Sequence, residues 1–311
     1  YIGRMTFGSC TSLTSLAIGS GVTTIESDGF GLFRGCSSLE SVTVDENNTV
    51  FDSREDCNAI IRTETNELFA GCKGTQVPDS VVSIGASAFW GCSGLESVVL
   101  PDNMESIGKF AFEGCSGLTE LIIPDSVTSI GSRAFTNCAN LTSVSVGKGI
   151  TSLETYVFYG CKKLQELTIP NSVTNIGAYA FYNCSSMKSV TIPDSVTSIG
   201  SKAFGFSDGV KIADFVIYGT DENSAAADYA KEHDFLFRLV SDNQPPDSSQ
   251  DDSLQDDPAK EDISKSEVTL EKNSCIYDGK AKTPAVTVRL NGKTLTLNTD
   301  YTVSYSNNVN I

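Results

Sequence analysis

Reactive side chains stand at fixed intervals in this chain of 311 residues. Cys92, Cys115, Cys138, Cys161 and Cys184 follow one another in steps of 23 residues. Ten cysteines would suit a disulfide framework in an oxidising compartment. The strict step favours different chemistry, a column of buried thiols acting as small apolar groups. Stacked neighbours would approach the Cα separation of about 4.4–6.8 Å that a bridge needs. Parallel stacking, however, would aim every thiol the same way, so free thiols are expected at these five positions. Cys57 and Cys72 lie outside the column, and either state fits them. Metal binding has little to build on, because no C-x-x-C pair occurs and the only histidine is His233.

Asp79, Asp102, Asp125 and Asp194 each follow a proline in register. They could form a carboxylate ladder for calcium, but an Asp in a tight turn more simply bonds its own backbone. No H-E-x-x-H, G-x-S-x-G or phosphate loop occurs. No catalytic residue is assigned, the chain is read as not an enzyme, and neither metal nor cofactor is expected. Aromatic residues give the stronger signal. Two variable positions flank each repeating phenylalanine, one directly after it and one two residues before. They place Trp90, Phe110, Tyr156, Tyr159, Tyr179 and Tyr182 on one turn-rich edge. Such a row can stack on sugars or anchor a protein partner. Alternatively, the rings lie flat between coils and help fill the core. These six are the candidate ligand-binding residues.

The elements that carry these side chains follow from the same period. Phe89, Phe112, Phe135, Phe158, Phe181 and Phe204 keep the 23-residue step. The unit LESVVLPDNMESIGKFAFEGC has anchors at Leu95, Val98 and Leu100, then Ile107 and Phe112. Val98 and Leu100 alternate with Ser97 and Val99, which is strand periodicity. Pro101, Pro124, Pro170 and Pro193 end the strands, because proline has no N–H for the ladder. A unit has about eight apolar anchors, each contributing roughly 1.5–3 kcal/mol when buried. Ordering costs about 1–2 kcal/mol per residue in the backbone alone. One unit therefore cannot fold by itself, and stacked units sharing a core make a solenoid. Ser97/Val99, Glu120/Ile122, Ser143/Ser145, Glu166/Thr168 and Ser189/Thr191 should point out from one parallel sheet, with coils about 4.8 Å apart.

Three segments break the period. Cys36 to Cys72 is 36 residues, and Ile60-Ile61 and Leu68-Phe69 flank a polar turn there. The pattern predicts a small hairpin growing out of the solenoid. It is either a binding feature or an ornament. Residues 214–240 read as strand, helix and strand, with Asn223 or Ser224 as N-cap. This is the expected α/β cap, at 210–240, on a solenoid spanning 1–240. Residues 241–267 carry nine acids and two bases and almost no apolar side chain, which predicts a disordered linker. In 268–311, Val286, Val288 and Leu290 alternate with polar residues, and Asn291-Gly292 is a preferred hairpin turn. About 44 residues are too few for a sandwich of about 100, so a partial all-β domain is expected. The chain also starts at YIGRMTF, in mid-repeat, and reads as a fragment.

The formal net charge of −17 argues against nucleic acid and against anionic membranes. No membrane span is visible. A basic partner or a cation suits this charge better.

The stretch IPDSVTSIGSRAFTNCANLTSVSV closely resembles the BspA-like leucine-rich repeats of bacterial surface proteins, and the resemblance covers 1–240. DSREDCNAII and AAADYAKEHDFLF are also similar to that family. Residues 268–311, with YDGKAKTPAVTV, resemble immunoglobulin-like modules of Gram-positive surface proteins. The resemblance implies a right-handed leucine-rich repeat superhelix with short parallel strands. It also implies extracellular, cell-surface display and adhesion to a host or bacterial protein or glycan. It carries over no catalytic residue. A monomer is expected, and a spacer holding another domain away from the cell is the alternative. Two departures, Gly147-Lys148 for Pro-Asp and Leu153-Glu154 for Ile-Gly, put local coil regularity in question.

Overall fold

The computed structural model describes residues 1–26 and 31–240, and the backbone of strands Glu267–Leu270, Val286–Leu290 and Lys293–Thr294. The chain divides into two compact units, Tyr1–Asp247 and Ser248–Ile311. In the second, the three strands pair antiparallel with Val286–Leu290 in the middle. The Asn291-Gly292 turn, the acidic stretch 241–266 and the rest of the expected β domain lie outside the described residues.

The first unit is a solenoid of stacked coils, and its 23-residue step appears as physical columns. The repeating phenylalanines are buried and stack face to face. Ring centroids lie 4.9 Å apart from Phe89 to Phe112, 5.3 Å from Phe112 to Phe135 and 5.2 Å from Phe135 to Phe158. The row runs on through Phe181 to Phe204, the last pair 4.7 Å apart. Rings this close fill the coil interior as a continuous stack, which no single unit could build. Leu95, Leu100, Ile107 and their counterparts are buried as expected except Ile199, which, like Val98, is half-buried at the core's margin.

The outward strands do not form one sheet. Glu120–Ile122, Ser143–Ser145 and Glu166–Thr168 pair in parallel, residue for residue at the 23-residue step. Ser189–Thr191 pairs instead with Val216–Gly219, and Ser15–Ile18 with Ser41–Val44. Ser97–Val99 is not a strand. A second parallel ladder, at the Ser-Ile pairs, was not expected. It runs through Ser83–Ile84, Ser106–Ile107 and Ser129–Ile130, then stops. It resumes at Ser152–Leu153, Asn175–Ile176 and Ser198–Ile199. The stop has a local cause. In neighbouring coils, the position after this ladder is a glycine pressed against the preceding coil's backbone. A Cβ on Gly108 would lie 2.6 Å from the Ala86 nitrogen, and one on Gly177 2.5 Å from the Thr155 nitrogen. Glu154 stands at this position where the ladder is broken. The same coil closes on its neighbour elsewhere. Gly147 and Gly149 lie against the Pro124 and Asp125 carbonyls, so tightly that no Cβ would fit.

The hairpin is present but does not grow outward. Ala59–Arg62 and Glu67–Gly71 pair antiparallel, and Glu67–Gly71 pairs parallel with Ser83–Ile84 to begin the second ladder. Its side chains are buried on both faces. Ala59, Ile61 and Leu68 belong to the main core, while Ile60, Phe69 and Ala70 belong to a separate core shared with Leu39, Val42 and Phe51. The hairpin is a wall between two cores. Gly71 lies directly under the Phe89 ring that begins the stack.

Beyond the last repeat, Val216–Gly219 and Leu236–Leu239 pair in parallel around the helix Ala225–His233. Ser224 is its N-cap, its hydroxyl accepting from the Ala227 amide at 3.3 Å. Tyr229 sets its ring edge-on to Phe204, 6.4 Å away, and its hydroxyl donates to the Phe204 carbonyl at 2.9 Å.

Candidate functional site

The aromatic edge is built on unusual backbone. Ser87, Phe110, Arg133, Tyr156, Tyr179 and Lys202, each two residues before a phenylalanine, all have φ between 52° and 61°. Left-handed backbone costs a non-glycine residue roughly 1–2 kcal/mol. Hydrogen bonds between coils offset it. Left-handed residues at this position and four residues on turn alternate amides toward the next coil. The amides of Ser87, Phe89 and Gly91 donate to the carbonyls of Lys109, Ala111 and Glu113 at 2.7–2.9 Å. The second left-handed position is visible in sequence, because it holds Gly91, Gly114 and Gly160, or Asn137 and Asn183. The first carries no such signal.

This backbone brings together the expected aromatic residues, in two groups. Trp90 stacks on Phe110 with centroids 5.5 Å apart, and the Arg34 guanidinium lies 4.2 Å from the Trp90 ring. Tyr156 stacks on Tyr179 at 5.1 Å and Tyr159 on Tyr182 at 5.5 Å. The two tyrosine stacks meet edge to face at 5.5 Å, and Arg133 covers Tyr156 at 4.6 Å. All six residues are half-buried. Each ring therefore has at least one face taken up by a neighbour along the solenoid. The Tyr182 hydroxyl accepts from the Gly209 amide at 2.6 Å, and that of Tyr159 accepts from Asn183 at 3.5 Å. Among the described residues, the Tyr156 and Tyr179 hydroxyls have no hydrogen bond. Between the two groups stands Glu113, which sequence reasoning did not single out. One of its carboxylate oxygens is buried without a hydrogen bond. Burial pushes its pKa up, against the pull of Arg133 and Arg34.

The thiol column is free and buried from Cys92 to Cys184. From Cys115 on, each thiol donates to the carbonyl of a phenylalanine one coil back: Cys115 to Phe89 at 3.1 Å, Cys138 to Phe112 and Cys161 to Phe135 at 3.2 Å, and Cys184 to Phe158 at 3.3 Å. Burial raises the Cys92 thiol to about 12 and holds Cys115, Cys161 and Cys184 well above the ordinary range. Protonated thiols are poor nucleophiles and poor metal ligands. Cys57 and Cys72 are also free and buried.

The post-proline aspartates do not work as expected. Asp125 accepts from the Lys148 amide of the next coil at 2.9 Å, not from its own turn, and Asp194 accepts from the Thr220 hydroxyl. The turns close instead through the proline carbonyl, as from the Val127 amide to Pro124 at 3.1 Å. Among the described residues no group of three or more metal-ligating side chains occurs. No helix among them is long and apolar enough to cross a membrane.

The chain is 25% identical to a leucine-rich repeat protein from Eubacterium ventriosum, with a TM-score of 0.52 over 64% of this chain and 60% of that one. It shares the fold of the pneumococcal vaccine antigen PcpA, at 20% identity and a TM-score of 0.50, over 74% of this chain and 56% of that one. It thus spans less than two thirds of either protein. No curated protein sequence matches it. Six copies of the BspA type leucine rich repeat match residues 1–58 and 82–211. The unmatched interval falls on the buried hairpin, where the 23-residue step is interrupted. With its coils in register on both sides of that wall, the chain belongs to the BspA-type leucine-rich repeat family.

Proposed function

We propose that this chain is part of a bacterial cell-surface adhesion protein, displayed outside the cell and binding a partner through the aromatic edge of its solenoid. The observation that carries this reading is the tyrosine quartet of Tyr156, Tyr159, Tyr179 and Tyr182 beside Arg133, half-exposed on adjacent coils. Tyrosine and arginine are the residues that dominate interface energetics. Because every ring has at least one face covered by a stacked neighbour, sugar stacking has less surface to use. Half-exposed rings and hydroxyls suit a protein ligand better than a glycan. Family membership supports surface display, and the net charge of −17 argues against a nucleic-acid partner. The strand–helix–strand unit closes the core as a cap, and 268–311 belongs to an immunoglobulin-like module. The chain works without catalytic residues or cofactor, as a monomer.

The test is binding of the labelled chain to intact bacterial and host cells. Tyr159→Ala with Tyr182→Ala should reduce binding while lowering the melting temperature by no more than a few degrees. Undiminished binding by that folded variant would reject the edge as the site. If the unmutated chain binds neither cell type, the spacer reading takes its place.

A further inference from the structure

A second surface lies on the strand side of the coils. Val99 and Ile122 occupy the same repeat position in adjacent coils and are 82% and 71% exposed. Scattered apolar residues on a surface need no explanation, but these two are neighbours. The same position in the next coils holds Ser145, Thr168 and Thr191. Folding therefore does not require an apolar residue here. Glu96 and Glu120 flank the pair, both exposed and in no ion pair among the described residues. The backbone is also open at this point. Glu120–Ile122 is the outer strand of its three-stranded sheet, and no hydrogen bond among the described residues joins it to Ser97–Val99.

We propose that this patch docks a basic segment of another protein, one that places an aliphatic side chain on Val99 and Ile122 and lysine or arginine against Glu96 and Glu120. Charge complementarity selects this occupant. An apolar contact alone would accept any hydrophobic surface, but the acidic flanks repel an acidic one, and the net charge of −17 draws a basic one in. The patch is distinct from the aromatic edge and does not depend on it.

The probe is the peptide Lys-Lys-Leu-Leu-Lys-Lys, titrated into the methyl-labelled full chain and followed by NMR. The Val99 and Ile122 methyl signals should shift and saturate, and Glu-Glu-Leu-Leu-Glu-Glu should leave them unmoved. Raising the salt to about 0.5 M should weaken binding by about fivefold or more. Glu96→Gln with Glu120→Gln should do likewise at low salt, and these exposed changes leave the core untouched. Lys-Lys-Ser-Ser-Lys-Lys should lose the methyl shifts. Tyr159→Ala with Tyr182→Ala should leave the titration unchanged, so the two surfaces stand or fall separately. Equal shifts with the acidic peptide, shifts spread over the acidic surface but absent at Val99 and Ile122, or no shifts at all would overturn the proposal.

Discussion

From Cys115 to Cys184, a thiol in the column has its hydrogen bond already made, to a phenylalanine carbonyl one coil back, and that bond is available only while the sulfur keeps its proton. Burial enforces the protonation by raising the pKa of Cys92 to about 12 and of Cys184 further. Reactivity should follow. At about pH 8, iodoacetamide on the folded chain should label Cys10, which is exposed, and spare Cys36, Cys57, Cys72 and the five column cysteines. Peptide mass spectrometry reads each site. Labelling of Cys138 or Cys161 at the rate of Cys10, or linked peptides from adjacent coils, would contradict the structure. The thiol column was legible in the sequence because step and residue type agreed. The left-handed backbone under the tyrosines was not. Phe110, Tyr156 and Tyr179 are residues whose own preferences oppose φ near 60°, and the compensating bonds come from the next coil.

At the scale of one coil, each repeat is held by what its neighbours permit. The departures Gly147-Lys148 and Leu153-Glu154 put local coil regularity in question in the sequence, without locating the cause. In the structure they belong to one coil, which parts from its neighbour at Glu154 and closes on it at Gly147 and Gly149. Where other coils carry Ser126 or Ser195, Gly149 lies so close that a Cβ would meet the Asp125 and Val127 carbonyls at 2.5 Å. Backbone atoms cannot move aside as a side-chain tip can. Restoring the repeat with Gly149→Ser should therefore destabilise the protein, by about 1–3 kcal/mol for overpacking, although it makes the sequence more regular. Thermal denaturation of the variant decides it. An unchanged or higher melting temperature would mean that the coil can open without cost. The Ser-Ile ladder escaped the sequence reading for a related reason. Two-residue strands are too short to show alternation, and only pairing across coils defines them.

The whole solenoid is divided by its one long interruption. In sequence, Ile60-Ile61 and Leu68-Phe69 read as a hairpin growing out of the solenoid, but a strand at a surface alternates apolar and polar. Two apolar residues in succession are instead what a strand buried on both faces requires, and that signal was present in the pattern. Ile60 faces the N-terminal core with Leu39 and Phe51, and Ile61 faces the core that begins with Val81 and Ile84. Adjacent residues thus support different halves of the unit. Truncating either buried isoleucine to alanine should cost about 2–5 kcal/mol, but in different places. Hydrogen exchange should show Ile60→Ala loosening the strands Ser15–Ile18 and Ser41–Val44, with Ser106–Ile107 and Ser129–Ile130 kept near their original protection. Ile61→Ala should show the reverse. The hairpin amides should exchange faster in both variants, because Ala59–Arg62 and Glu67–Gly71 are common to the two cores. If both substitutions released every coil equally, the hairpin would not be a wall, and the two cores would unfold as one.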